Sequence, residues 1–230
     1  QRDLVVHAPE LFSESHLMDL TSPDRSYRLQ SVRELQTVIK ITRKLNKFFP
    51  KTEKPLIVAN VGGCSLDEPL SETEIQNRYE TLGESLNDLD LDEVELIPQT
   101  MAPYPWHFGG QRFQNLFLRS EDIIKWCEIL NLRICFDTSH SALHCTNDNL
   151  NFIDFARKMV PVTAHIHVGD AKGINGEGLQ IGSGTIDFAL LTKVFSEIHT
   201  SVGFIPEIWQ GHKNDGEGFG FALNALEGKI

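Results

Sequence analysis

Six short apolar runs recur along the chain: LVVHAP (4–9), PLIVANVGG (55–63), DEVELIPQT (92–100), LRICFDTSH (132–140), VTAHIHVGD (162–170) and GFIPEIWQ (203–210). Helical patterns separate them. Val32, Leu35, Val38, Ile39, Thr42, Leu45 and Phe49 recur at helical spacing between Ser31 and Phe49. SETEIQNRYETLGESL opens with Ser71 and Glu74, the spacing of a capping box at a helix start. Further helical stretches are expected near 121–131, 148–159, 187–199 and 218–228. Strands that alternate with helices in this way run parallel, with the helices packed outside. No linker or low-complexity segment divides the chain, so residues 1–230 read as one domain.

Six strands fit either an open doubly wound sheet or part of an eight-stranded barrel. The polar residues decide between them. His7, Asn60, Gln99, Asp137 with His140, His167 with Asp170, and Glu207 stand at the C-terminal ends of successive runs. In a barrel those ends form one ring around a single mouth, whereas in an open sheet most would be too far apart to cooperate. The expected fold is therefore an α/β, TIM (β/α)8-type barrel lacking its first two βα units. A start at Gln1 instead of Met agrees with an N-terminally incomplete domain of a longer protein.

Charge and cysteine usage narrow the partners. A formal net charge of −11 argues against nucleic acid, because phosphate binding needs clustered Lys and Arg. No apolar run is long enough to span a bilayer, and no signal-peptide pattern opens the chain. Cys64, Cys127, Cys135 and Cys145 show no metal or disulfide spacing and read as reduced thiols of a cytoplasmic protein.

The run HIHVGD puts His165 and His167 on one face of a strand, with Ile166 on the other. A lone histidine there would be a core residue, Asp137 alone a helix cap, and Glu207 alone the partner of a lysine. Together they place several ligand-type side chains at strand ends. Carboxylate oxygen with imidazole nitrogen suits Mn²⁺, Zn²⁺, Fe²⁺ or Co²⁺, with Mg²⁺ the oxygen-seeking alternative.

FDTSH, then HVGD, then a glutamate at the end of the last strand resembles the xylose isomerase-like TIM-barrel superfamily of sugar epimerases, keto-sugar isomerases and endonuclease IV. Within it, MAPYPWHFGGQ and GDAKGINGEGLQIGSGTIDF are similar to barrel domains found with bacterial sialic-acid-type synthases. The resemblance implies that VVHAP is the third barrel strand. It implies one divalent ion held by Gln99, Asp137, His167 and Glu207, with Glu207 as base and His140 as a catalytic or substrate contact. His165, one pleat deeper, becomes core. The family carries glutamate on the fifth strand where PYPWHFGG aligns Gln99, an amide that adds no charge and accepts no proton. Glu95 lies four residues earlier, about two pleats (~13 Å) deeper. Where endonuclease IV carries further zinc ligands, this chain has Asn60 and the GEG of 176–178, so one ion is expected instead of several.

Two long loops supply the remaining candidates. Trp106 suits the apolar face of a sugar ring, and His107 and Arg112 suit hydroxyls or an acidic group. Lys172 and Glu177 lie in the glycine-rich loop 171–186, and His7 and Asp170 in the ring of strand ends. The function implied is a metal-dependent isomerase or epimerase of a sugar, with surface-sugar biosynthesis as its setting. The rivals are a lyase or hydrolase on the same barrel and a non-catalytic sugar-binding domain accompanying a synthase. Partners would be the sugar, another copy of the chain, or a companion synthase domain.

Overall fold

All six apolar runs form strands in a computed structural model that describes residues 3–107, 110–197 and 202–227. They are β1 (Val5–His7), β2 (Leu56–Ala59), β3 (Glu95–Pro98), β4 (Ile134–Asp137), β5 (Thr163–Val168) and β6 (Gly203–Pro206). Each pairs in parallel with the next, and a bridge between Gln99 and Cys135 joins β3 to β4. The order never reverses, which excludes the doubly wound sheet and its switch point. Among the described residues β1 and β6 are the two edges.

The sheet curls strongly. In a flat sheet β1 and β5 would stand roughly 19 Å apart at ~4.8 Å per strand. Instead the rings of His7 and His167 stack with centroids 5.6 Å apart. Inside the curl Val58, Ile97, Cys135 and Ala164 pack together. Ala164 joins them because a bulge opposite Ile134 and Cys135 leaves it as the extra residue of β5. On the outer faces Ile57, Leu96, Phe136, Ile166 and Val168 pack into the main core beneath the helices.

Those helices are α1 (Arg25–Asn46), α2 (Glu72–Asn87), α3 (Ser120–Leu130), α4 (Thr138–Asn147), α5 (Phe152–Met159), α6 (Phe188–Phe195) and α7 (Lys213–Leu226). The Ser71–Glu74 capping box is present at the start of α2. Helix α1 starts six residues before Ser31, where Asp24 accepts hydrogen bonds from the Ser26 and Tyr27 amides. Its first turn carries no apolar stripe, so periodicity cannot show it. The stretch 148–159 is also different, because α4 already occupies 138–147 and α5 starts at Phe152. Residues 198–199 and 228 of the last two expected helices lie outside the described residues. Among the described residues no helix is long and apolar enough to cross a membrane.

Candidate metal centre

Strand β4 ends at Asp137 and α4 begins at the next residue, with no loop between. Asp137 Oδ1 accepts from the backbone N–H of His140 at 2.8 Å and so caps α4. Its Oδ2 points into the barrel mouth, 2.9 Å from Gln99 Nε2. Asp137 therefore caps α4 with one oxygen and turns the other toward the mouth.

The same Gln99 nitrogen lies 3.2 Å from His167 Nδ1 and 3.5 Å from Glu207 Oε2. His167 Nδ1 is in turn 2.5 Å from Glu207 Oε2 and 3.8 Å from Asp137 Oδ2. Gln99, Asp137, His167 and Glu207 thus converge on one point. His7 completes the ring: its Nε2 is 3.0 Å from Gln99 Oε1, and ligand atoms of His7, His167 and Glu207 all lie within 4.8 Å of one another. The donor set fits a divalent ion. Two carboxylates and an imidazole face a common centre, where Asp137 and His167 are each 1 % exposed and His167 meets Asp137 and Glu207 through Nδ1. Gln99 presents its nitrogen to the centre here, and a half-turn of its carboxamide would present the oxygen instead.

Electrostatics follow from burial and proximity. Burial pushes the Asp137 carboxyl up to about 8, and the neighbouring Glu207 charge adds to it. Burial also acts to raise Glu207, but its hydrogen bond to His167 and the charges of His167 and His140 outweigh this and hold it below the usual range. His140 Nδ1 lies 2.9 Å from the Thr100 carbonyl and Nε2 lies 3.0 Å from Glu177 Oε1. Carbonyl and carboxylate both accept, so both ring nitrogens donate and His140 is an imidazolium. Burial alone would lower it, yet the carboxylates of Asp137, Glu177 and Glu207 carry it well above the ordinary histidine value.

Two neighbouring candidates stand outside the centre. His165 is buried with both ring nitrogens unpartnered, and burial pushes it down to about 4. Glu95 forms a two-pronged pair with Arg133, 2.7 Å on each arm, on the strand positions below Ile97 and Cys135.

His7, Gln99, Trp106, His107, His140, Glu177 and Glu207 line one cavity of about 800 Å³. Arg112 lines an adjoining one of about 310 Å³, with Glu10, Asn60, Met101 and His107 common to both. Two expected substrate contacts are corrected. Asp170 is fully buried, and its carboxylate accepts from the backbone N–H groups of Ala171, Gly182, Gly184 and Ile186 at 2.8–3.1 Å. Its oxygens are consumed in folding the loop 171–186. Lys172 is exposed on the hairpin formed by Asp170–Lys172 and Gly176–Leu179 and does not line the cavity. Sequence reasoning missed Trp209, which is 77 % exposed, lines the cavity, and is tied to the hairpin by its backbone N–H, which donates to Gly178 O at 2.7 Å. The signal was available: an aromatic two positions after a strand-end glutamate.

The profile of the xylose isomerase-like TIM barrel family matches residues 2–227. The chain belongs to that family. No curated protein matches the sequence. Among solved barrels, a D-tagatose 3-epimerase-like protein superposes with a TM-score of 0.67 at 20 % identity, over 99 % of this chain and 78 % of that one. A D-allulose 3-epimerase from Methylomonas sp., in complex with D-allulose, gives 0.64 at 12 % identity over 91 % and 71 %. The IOLI protein with a bound zinc atom gives 0.69 at 14 % identity over 99 % and 76 %. At these identities the likeness shows the fold. None of these relatives is described as a partner of a sialic-acid-type synthase, so the expected companion synthase finds no support among them.

Proposed function

We propose that this barrel is a metal-dependent isomerase or epimerase of a keto-sugar or sugar derivative. The observation that carries the proposal is the convergence of Gln99, Asp137, His167 and Glu207 on one point at the floor of a cavity flanked by two exposed tryptophans. Asp137, His167, Glu207 and the Gln99 oxygen would hold one divalent ion. When bound, that ion polarises the sugar carbonyl and acidifies the C–H bond beside it.

The chain's own residues do the rest. Glu207 faces the cavity with its side chain 46 % exposed, and it removes and returns the proton at the carbon next to the carbonyl. The His140 imidazolium, held by Glu177 and Thr100, offsets negative charge that develops on substrate oxygen. Trp106 and Trp209 stack on the ring from the rim. Gln99 accepts no proton, so this site has one carboxylate base where a two-base epimerase would have two. A single base suits isomerisation, in which one group moves the proton between neighbouring carbons.

The same amide supports a second reading, a sugar-binding barrel without turnover. Incubating the Mn²⁺-loaded protein with aldo- and keto-sugars in deuterated water, followed by NMR, separates them. Deuterium at the carbon beside the carbonyl, with an isomer formed, supports the proposal. Bond cleavage indicates a lyase or hydrolase, and binding without exchange indicates the sugar-binding domain.

A further inference from the structure

The Gln99 carboxamide lies between two sets of partners. On one side its Oε1 faces His7 Nε2 at 3.0 Å; on the other its Nε2 faces Asp137, His167 and Glu207 at 2.9–3.5 Å. A half-turn about the last side-chain bond exchanges oxygen and nitrogen with almost no change of shape, so hydrogen-bond partners decide the orientation. His7 Nδ1 lies 2.8 Å from the Ala8 carbonyl. A carbonyl only accepts, so Nδ1 carries a proton; Nε2 beside Oε1 would then need a second one, whereas a half-turn of the carboxamide pairs a bare Nε2 with the NH₂ group. An acceptor at that point calls for the Gln99 NH₂ group. We propose that His7 is a positioning residue that turns the Gln99 carboxamide, directing its oxygen into the centre and so completing the ligand set.

The two orientations suit two states of the centre. With NH₂ inward, the amide donates toward Asp137 Oδ2 and Glu207 Oε2 and stands where a cation would stand. With oxygen inward, it joins two carboxylate oxygens and His167 Nδ1, a cluster of acceptors that is stable only around a cation. A glutamate at this position would present an oxygen either way and would need no such partner. Glutamine does need one, and His7 supplies the lone pair. Asp137 and Glu207 then bring two negative charges, which match a divalent ion.

The inference rests on the metal reading above, and the test keeps the two apart. Zinc affinity is measured by calorimetry for the wild type, His7→Phe, His7→Gln and the same His7 changes in a Gln99→Glu background. Partners that orient a metal ligand typically contribute 10–100-fold in affinity. His7→Phe keeps a ring but loses the acceptor and should weaken zinc binding by about that factor, whereas His7→Gln keeps an acceptor and should restore most of it. In the Gln99→Glu background His7→Phe should cost little, because a carboxylate has no wrong orientation. In the zinc-loaded wild type, ¹⁵N shifts should show a protonated Nδ1 and a bare Nε2 on His7. Unchanged zinc affinity in His7→Phe, an equal loss in both backgrounds, or a proton on Nε2 instead overturns the positioning role and leaves the metal centre standing. A wild type that takes up no zinc overturns both.

Discussion

The amide nitrogen of Gln99 stands 2.9 Å from Oδ2 of Asp137, in the middle of a ring that also presents His167 and Glu207. A donor there satisfies groups that would otherwise repel one another. Gln99→Glu replaces it with a third carboxylate. The metal-free variant should lose roughly 2–3 kcal/mol through lost charge-assisted hydrogen bonds and buried like charges. Zinc should bind more tightly than in the wild type and recover that loss. Thermal melts in chelator and in excess zinc check this, and an unchanged chelator melt would remove Gln99 from the centre.

Asp170 makes a separate, structural prediction. Its carboxylate gathers four backbone N–H groups of the loop that follows β5. Asp170→Ala leaves them without an acceptor and should cost roughly 3 kcal/mol. Limited proteolysis should then cut within 171–186, while zinc affinity stays close to the wild-type value.

Trp106 and Trp209 are 70 % and 77 % exposed at the cavity rim. Surface truncations of this kind change stability by no more than about 0.5 kcal/mol. Each tryptophan stacked on a ligand ring is worth ~1 kcal/mol. Trp106→Ala and Trp209→Ala should therefore each weaken sugar binding about fivefold, with melting temperature and zinc affinity unchanged. Equal binding in both variants would place the sugar elsewhere.

Acid stability depends on four histidines. Burial is the largest influence on His16, His107, His144 and His165, and it lowers each of them; His165 reaches about 4. Their folded-state values lie below the unfolded value of about 6.5. At these four rings the unfolded chain therefore binds more protons below that pH, so their contribution to stability is full above it and lost as the pH falls toward 4. His140 and Asp137 shift the opposite way: the folded protein holds a proton on each that the unfolded chain gives up, on His140 above about pH 6 and on Asp137 between about 4 and 8, so both add stability as the pH falls. Melts of the wild type and His144→Leu between pH 7 and 4 isolate one of the four: the variant should lose less stability, or gain more, toward acid than the wild type. A pH dependence that His144→Leu leaves unchanged would contradict the burial effect on that ring.

Much of the site was legible because a barrel gathers strand ends, and strand ends can be read from where apolar runs stop. Asp137, His167 and Glu207 each follow that rule, and Gln99 came from the register of the proline- and aromatic-rich segment after it. Glu95 looked like a rival, since two residues on alternate strand positions share a face. Only the structure shows Arg133 paired with it at 2.7 Å. Asp170 was misread because a carboxylate at a strand end looks the same in sequence whether its oxygens meet a ligand or four loop amides. Trp209 was missed because it sits inside the last apolar run, GFIPEIWQ, where an aromatic reads equally as core, although the strand ends at Pro206. The direct passage from Asp137 into α4 was hidden by its polar first turn, TSHS.

The central claim is that the strand ends hold one divalent ion. Isothermal titration of the chelator-treated protein with Zn²⁺ or Mn²⁺ tests it most directly, with Asp137→Asn, Glu207→Gln and Glu95→Gln measured alongside. The account predicts one ion per chain in the wild type. Affinity should fall by at least about tenfold in Asp137→Asn and in Glu207→Gln, and stay at the wild-type value in Glu95→Gln. No uptake by the wild type, or uptake that Asp137→Asn and Glu207→Gln leave unchanged, would contradict it.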